Sequence, residues 1–198
     1  MNFTSSQNDI ALIEDYEDSE NTAEVVEGSP TDDSFVKLQE KVTTGEAGVI
    51  TGVYVNEILS VPVIQQPNGQ SAYVSPIKGV VTQFGLAESY GAIGLMAHNF
   101  LSGEQFFNLE IGQIVTVIFG DGNTLKFEIN EIQQYQALTP NSVNSAFRNL
   151  DHPEIQVSAK KLFNEIYSNY GDLVFQTCIE RENNLTWGRL FVVAKPLS

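Results

Sequence analysis

Short apolar runs, rich in β-branched and aromatic residues, recur from about residue 47 onward and are separated by turn-forming residues. This pattern is typical of β-strands joined by turns, and it constrains the fold more than any other feature. A strong hairpin signal, Gly120-Asp121-Gly122-Asn123, lies between two of the runs. We therefore predict a mainly β domain, a closed barrel of seven or eight strands. The principal predicted strands are residues 48–55, 59–64, 79–84, 92–98, 111–119, 124–137, 172–177 and 189–194.

Two stretches depart from the simple strand pattern. Pro62 interrupts the run at residues 59–64 and predicts an edge strand, because proline cannot donate to a strand ladder. Apolar residues at 162, 166 and 167 have helical spacing and predict an amphipathic helix over residues 158–169. A shorter helix is predicted at residues 145–150. Both predicted helices lie between the strands at 124–137 and 172–177, so they form a helical insertion before the strand that leads to the single cysteine, Cys178.

Residues 1–46 differ in composition from the rest of the chain. The net charge is −15, and the first 40 residues contain eleven acidic residues and one lysine. A segment this polar cannot bury enough apolar surface to offset the entropy lost on ordering. We predict a disordered acidic tail or spacer over residues 1–46 and a folded domain over residues 47–198.

Composition also argues against several classes of function. With three arginines in the whole chain, a phosphate-binding surface for nucleic acid is not expected. A single cysteine, Cys178, excludes an intramolecular disulfide and cysteine-rich zinc sites. No dense acidic cluster of the kind that binds calcium is present, so neither metal nor cofactor is expected.

The chain contains no apolar run of about 18 residues, so no membrane span is predicted. The first residues also lack the basic-then-apolar pattern of a signal peptide. Two explanations stay open at this point. Either the native protein is cytoplasmic, or the sequence is a processed or truncated form of a longer one.

Three residues at the ends of apolar runs are candidate catalytic residues. Cys178 ends the run at 173–178, His98 ends the run at 93–98, and Arg189 begins the run that follows the cysteine. Loops open at strand ends, so a thiol there is accessible to a substrate. Imidazole is suited to general acid–base catalysis, and a guanidinium in an apolar setting requires an anionic partner, permanent or transient.

Each of these residues also has a structural interpretation. A free cysteine is commonly a small buried hydrophobe. His98 could be a hydrogen-bonded histidine at a barrel rim. Arg189 could form a surface ion pair with Glu180 or Glu182 across the last hairpin.

Taken together, the segments around these residues resemble a known family. The run Leu173-Val174-Phe175-Gln176-Thr177-Cys178 resembles the sortase signature, in which a Leu-rich strand ends in Thr-x-Thr-Cys or a near variant. The run at 187–194, with Arg189 near its start, resembles the next sortase strand. His98, with its neighbours and the spacing of residues 103–115 after it, is similar to the region of the sortase histidine. The resemblance covers roughly residues 50–197.

This resemblance implies a sortase-like β-barrel and a cysteine transpeptidase. Cys178 would attack the carbonyl of a sorting-signal peptide and form a thioacyl enzyme. His98 would protonate the leaving amine and then deprotonate the incoming one, and Arg189 would stabilise the oxyanion. The implied partners are a peptide or protein with a C-terminal sorting signal and an amine acceptor. Family habit favours the cell surface as the place of action.

The substrate groove is predicted less specifically. Ala97, Asn99 and Thr177 flank the three candidate residues in sequence and are predicted to bind substrate, together with the loop at 180–187. The helical segment at 141–170 is predicted to form one wall. Two alternatives to transpeptidation stay open, which are a cysteine hydrolase on the same scaffold and a catalytically silent sortase-like binding domain.

Overall fold

The computed structural model describes residues 32–197, which contain three α-helices, one 3₁₀ helix and ten strands. The helices are α1 (Asp33–Val42), α2 (Gly85–Glu88) and α3 (Ala159–Tyr167), with the 3₁₀ helix at Ser102–Asn108. The strands are β1 (Ile50–Val55), β2 (Leu59–Gln65), β3 (Val81–Gln83), β4 (Ile93–Met96), β5 (Ile114–Phe119), β6 (Thr124–Ala137), β7 (Ala146–Asn149), β8 (Gln156–Ser158), β9 (Leu173–Arg181) and β10 (Asn184–Pro196).

Eight of these strands form a closed barrel. They follow the order β10-β9-β4-β3-β2-β1-β5-β6, and the pairing of β10 with β6 closes the ring. Strands β7 and β8 extend the sheet outward from β6. Most pairs are antiparallel, but β2 with β3 and β4 with β9 are parallel. The predicted mainly β fold with a closed barrel is confirmed.

The barrel interior holds the larger of the two main hydrophobic clusters. Leu173 and Phe175 point inward from β9, whereas Val174 and Gln176 point outward, as the two-residue period of a strand requires. Phe106 of the 3₁₀ helix is buried against Phe175 with ring centroids 5.0 Å apart. Apolar residues on both faces of β9 therefore reflect two cores, one inside the barrel and one outside.

The outer core lies under α3. Leu162, Ile166 and Tyr167 are buried against the outer faces of β9 and β10, so the predicted amphipathic helix is confirmed. The shorter helix predicted at residues 145–150 is wrong, because residues 146–149 form β7. Hydrogen-bonded ladders to β6 on one side and β8 on the other hold β7 extended and bury Phe147.

Residues 33–42 differ from the predicted disordered segment. They form α1, which Asp32 begins by accepting a hydrogen bond from the Ser34 amide. Leu38 and Val42 on one side of α1 are buried against the barrel, so the prediction of disorder is wrong for this helix. Residues 1–31 lie outside the described residues, and there the tail stays a prediction.

Strand β2 lies between β1 and β3 in the sheet, so the edge strand predicted from Pro62 is wrong for the strand as a whole. Pro62 pairs with Gly52 of β1, while the parallel ladder to β3 begins only at Val63. The proline therefore stands just before the point where β2 acquires its second neighbour. Its missing N–H leaves no gap in that ladder.

Candidate active site

Cys178 lies within β9 rather than at its end. The strand continues to Arg181, so the prediction that Cys178 ends its strand and precedes a polar loop is wrong. A two-residue turn at Glu182 and Asn183, both with positive φ, joins β9 directly to β10. Turns of this kind usually contain glycine, and its absence here removed the sequence signal for a tight hairpin.

Cys178 and Arg189 are direct neighbours across the β9–β10 pair. Cys178 shares the outward side of β9 with Gln176, and Arg189 shares the outward side of β10 with Phe191. Both side chains are half-buried and line the same groove. The hairpin thus brings the thiol and the guanidinium together on the outside of the barrel.

Arg189 is held by backbone carbonyls. Its Nη1 donates to the oxygen of Gly188 at 2.7 Å and to the oxygen of Thr186 at 3.2 Å. Across residues 32–197 no carboxylate lies within ion-pair distance of Arg189, and the proposed partner Glu182 lies 4.0 Å from Arg181 instead. The remaining donors of the guanidinium form no hydrogen bond within the described chain and are available to an anion.

The surroundings of Cys178 disfavour the thiolate form. Burial raises the pKa of Cys178, while the positive charge of Arg189 opposes the shift. A protonated thiol is a weak nucleophile, so attack requires a base or an approaching substrate that favours the thiolate. The charge of Arg189 is already placed to stabilise that thiolate.

His98 follows β4 by two residues and is fixed through its backbone. Its carbonyl accepts hydrogen bonds from the amides of Leu101 at 2.9 Å and Gly103 at 3.0 Å. A side chain at Gly103 would approach the His98 oxygen to 2.7 Å, so glycine is required for this turn. The imidazole stacks on Phe100 with centroids 5.2 Å apart.

The pairing of β4 with β9 places His98 at the level of Cys178. Met96 pairs with Gln176 in the parallel ladder, and the Ala97 amide continues it by donating to the Gln176 oxygen at 3.3 Å. Two residues beyond this pair come His98 and Cys178, but β4 has ended by then and His98 belongs to the turn that follows it. The sheet therefore brings Cys178 and Arg189 together as direct neighbours, and it places the turn with His98 next to the strand that contains Cys178.

The residues predicted to bind substrate separate into two groups. Ala97 and Thr177 are buried in the barrel, where the Thr177 hydroxyl donates to the Ala97 oxygen at 2.9 Å. This hydrogen bond joins the end of β4 to β9, so both residues hold the barrel together and do not face the groove. Asn99 is half-buried and donates to the Leu185 oxygen at 3.4 Å, which links the histidine turn to the last hairpin.

An elongated groove of about 480 Å³ runs over the outer faces of β4, β9 and β10. Cys178, Arg189, Gln176 and Met96 belong to its lining, but His98 does not. As predicted, the segment at 141–170 provides one wall, and the segment from Ser71 to Leu86 contributes further lining residues. The remaining residues that line the groove are Ser71, Ala72, Val74, Phe84, Leu86, Ser142, Val143, Phe147, Ala159, Leu162, Phe163, Tyr167 and Phe191.

Gln176 and Tyr167 line the groove but were not among the residues predicted to bind substrate. The Tyr167 hydroxyl donates to Oε1 of Gln176 at 2.6 Å and connects α3 to the groove floor. Gln176 stands two positions before Cys178 on the same side of β9, and this strand period was the signal available in the sequence.

Two findings concern metal ligands and long apolar helices in the part of the chain that is described. Between residues 32 and 197, no three His, Cys, Asp or Glu side chains are grouped so that they could hold a metal ion. Over the same residues, none of the helices has the length and apolar character needed to cross a bilayer.

Comparison with solved structures finds proteins of similar fold. Sortase C-1 from Actinomyces oris superposes with a TM-score of 0.50 at 16% identity, covering 86% of this chain and 83% of that one. Sortase A from Corynebacterium diphtheriae gives 0.47 at 14% identity, with 86% and 72% covered. Sortase A from Listeria monocytogenes gives 0.46 at 10% identity, with 76% and 88% covered.

No family model matches the chain, and no curated protein matches it in sequence. The structural likeness to sortase C-1 is at low identity and therefore concerns the fold. The chain has the sortase fold, a closed eight-stranded β-barrel with two added strands and minor helices. The resemblance to sortases predicted from the sequence is confirmed at this level.

Proposed function

We propose that this protein is a cysteine transpeptidase that cleaves a peptide and transfers its acyl part to an amine. The Cys178 sulfur attacks the peptide carbonyl, and collapse of the tetrahedral intermediate breaks the C–N bond and releases an amine. The acyl part stays on the sulfur as a thioester. An incoming amine then attacks the thioester, forms a new amide and returns the thiol.

Two other residues have defined roles in this proposal. His98 takes the thiol proton as the sulfur attacks and gives it to the departing amine. In the second step it takes a proton from the incoming amine and returns it to the sulfur that leaves, which balances the protons over the two steps. Arg189 donates hydrogen bonds to the oxyanion that develops on the carbonyl oxygen in each step. In water-excluded surroundings such a donor contributes on the order of 3 kcal/mol.

One observation carries the proposal. Cys178 pairs directly with Arg189 on the floor of a groove, and within residues 32–197 the guanidinium has no carboxylate partner. Partial burial of a guanidinium costs free energy unless an anion lies beside it to compensate the charge. In the proposed reaction that anion is the thiolate or the oxyanion. The position of His98 two residues after β4, the strand that pairs in parallel with β9, supports its role as proton donor and acceptor.

The partners follow from this chemistry together with the resemblance to sortases. The substrate is a peptide or protein that carries a C-terminal sorting signal, and the acceptor is a primary amine. The place of action proposed on the same basis is the cell surface.

Product analysis tests the proposal. Purified protein is incubated with a library of sorting-signal-like peptides, with and without oligoglycine or a diamine, and products are identified by mass spectrometry. We expect a thioacyl adduct on Cys178 and an amide product that requires the added amine. Cys178→Ala should abolish both. Cleavage at the wild-type rate by Cys178→Ala would contradict the proposal, and acid products alone in the presence of amine would assign a hydrolase instead.

A further inference from the structure

The groove floor contains a polar pair surrounded by apolar side chains. Tyr167 is 1% exposed, and its hydroxyl donates to Oε1 of Gln176. Met96, Phe84 and Phe191 line the groove around this pair. Since Oε1 is engaged by the tyrosine, the orientation of the Gln176 amide is set from below by α3.

The amide nitrogen of Gln176 is the free half of this pair. Within residues 32–197 its Nε2 forms no hydrogen bond with another group. In the open groove water can satisfy this donor, but a bound peptide displaces that water. A donor left without an acceptor is then penalised by roughly a 10- to 100-fold loss of affinity. Gln176 therefore disfavours occupants that offer only apolar surface at this point.

The position of Gln176 specifies which part of an occupant it meets. Gln176 and Cys178 lie on the same side of β9 two residues apart, a separation of roughly 7 Å. An extended peptide has a similar rise per residue. Consider an extended peptide that runs along β9 with its scissile carbonyl at the Cys178 sulfur. The residue two positions from the one that carries this carbonyl then lies over Gln176.

We propose that Gln176 is a specificity-determining residue that selects peptides with an acceptor-bearing side chain, a hydroxyl or an amide. This inference rests on the proposed function for the direction of the peptide. The acyl part must stay bound until the amine arrives, so it occupies the groove. The selected side chain therefore belongs to the residue two positions before the one that carries the scissile carbonyl.

The direct test compares near-isosteric peptides with wild-type protein and Gln176→Glu. Peptide pairs differ as Thr against Val, or as O-methylserine against norvaline, at each position in turn. The ether oxygen of O-methylserine accepts a hydrogen bond but cannot donate one. Gln176→Glu keeps an acceptor for Tyr167 but replaces the free donor by a carboxylate oxygen. We expect wild type to favour Thr and O-methylserine by about 10-fold or more at the stated position. In the variant the O-methylserine ratio should disappear or reverse, because a carboxylate has no proton to donate to the ether.

A matched polar pair elsewhere provides the control. On β6 the Tyr135 hydroxyl donates to Oε1 of Gln133 at 2.6 Å, and neither residue lines the groove. Gln133→Glu should leave the peptide ratios unchanged. Tyr167→Phe, which frees the Gln176 amide to rotate, should reduce the ratio, while Tyr135→Phe should not.

The readout separates this inference from the proposed function. Ratios are measured both as thioacyl formation and as peptide binding to Cys178→Ala protein, in which no chemistry can occur. A binding preference that Gln176→Glu removes supports the inference even when wild type forms no thioester. Equal binding of both members of every pair by wild type would overturn it. Loss of affinity by the same factor for all peptides in Gln176→Glu would also overturn it.

Discussion

Two outer faces of the barrel are covered by helices in different ways. On one, α1 packs Leu38 and Val42 against Tyr54 of β1 and Ile118 of β5. On the other, α3 covers Val174 of β9 and its neighbours and leaves a groove over the Cys178 end of the same strand.

The chemistry of the two faces differs accordingly. A hollow of about 310 Å³ beside α1 is lined by Ser34, Tyr54, Val55, Glu57, Ile58, Leu59, Ser60 and Gln105. It contains no thiol, imidazole or guanidinium, whereas the groove beside α3 contains a thiol and a guanidinium. A helix can therefore either cover a barrel face completely or form one wall of a groove on it. The thiol and the guanidinium lie on the face that its helix covers only partly, where a substrate can reach them.

The largest difference between the two faces is expected in the rate of thioacyl formation, when Arg189 in the groove is changed by Arg189→Lys. Lysine keeps the charge but lacks the planar donor fork, so oxyanion stabilisation is lost. We expect the rate of thioacyl formation to fall by about 100-fold or more with the thermal unfolding midpoint nearly unchanged. The rate is measured by mass spectrometry of the adduct over time.

Arg181→Lys is the matched control on the same hairpin. Arg181 is exposed, lies over the Trp187 ring at 5.0 Å and does not line the groove. Its replacement should leave the rate near that of wild type. Similar losses in the two variants would mean that Arg189 acts through general charge or hairpin stability and not on the oxyanion.

A smaller effect, on stability alone, is expected from Leu38→Ala on α1. Leu38 is 4% exposed in the cluster against the barrel. Its truncation should lower the free energy of unfolding by about 2–3 kcal/mol, measured by urea denaturation. The reactivity of Cys178 should stay unchanged, since α1 contacts β1, β2 and β5 and not the groove.

The control for this variant lies one residue away on the same helix. Lys37 is exposed and pairs with Asp33, so Lys37→Ala should leave the free energy of unfolding nearly unchanged. A loss of thioacyl formation in Leu38→Ala under conditions where the protein is folded would show that the two faces are coupled.

The smallest effect is expected at the start of β9, at Asp172. Burial raises the pKa of this carboxyl, Lys195 opposes the shift, and Oδ2 has no hydrogen-bond partner in the described chain. The folded state binds the proton more tightly than the unfolded state does. Stability contributed by the protonated form is therefore complete below the ordinary pKa of aspartate, about 4, and is lost as the pH rises through the raised value.

Asp172→Asn cannot ionise and should escape this loss. The difference in unfolding midpoint, variant minus wild type, is expected to be larger at pH 7 than at pH 3. Thermal unfolding over this pH range measures it. A difference that grows toward low pH would contradict the assigned sign.

Much of the barrel was predictable because strand patterns are local. The β-rich run at 124–137 and the glycine-rich turn before it identified β6 with its observed bounds. The spacing of Leu162 and Ile166 identified α3 in the same way. Errors occurred where distant partners decide the conformation. Residues 146–149 are extended because they pair with β6 and β8. Helix α1 is stabilised by packing against β1 and β5, which lie elsewhere in the chain.

The candidate site was predictable as a set of chemical groups but not as an arrangement. The sequence identified a thiol, an imidazole and a guanidinium at or near strand ends, and their assigned roles stay a prediction. It also suggested Ala97 and Thr177 as substrate contacts, whereas both face the barrel interior. Neighbours of a reactive residue in a strand point to the opposite side, so adjacency in sequence was a poor guide.

The amino-acid sequence by itself determined most of the barrel strands and which reactive groups the chain carries, because both depend on residues within a few positions. Tertiary structure decided that β4 pairs in parallel with β9 and that Cys178 pairs with Arg189. It also decided that α3 leaves their common face partly open. The physical reason is that strand register and helix docking depend on the closure of the whole barrel, which joins residues far apart in the chain.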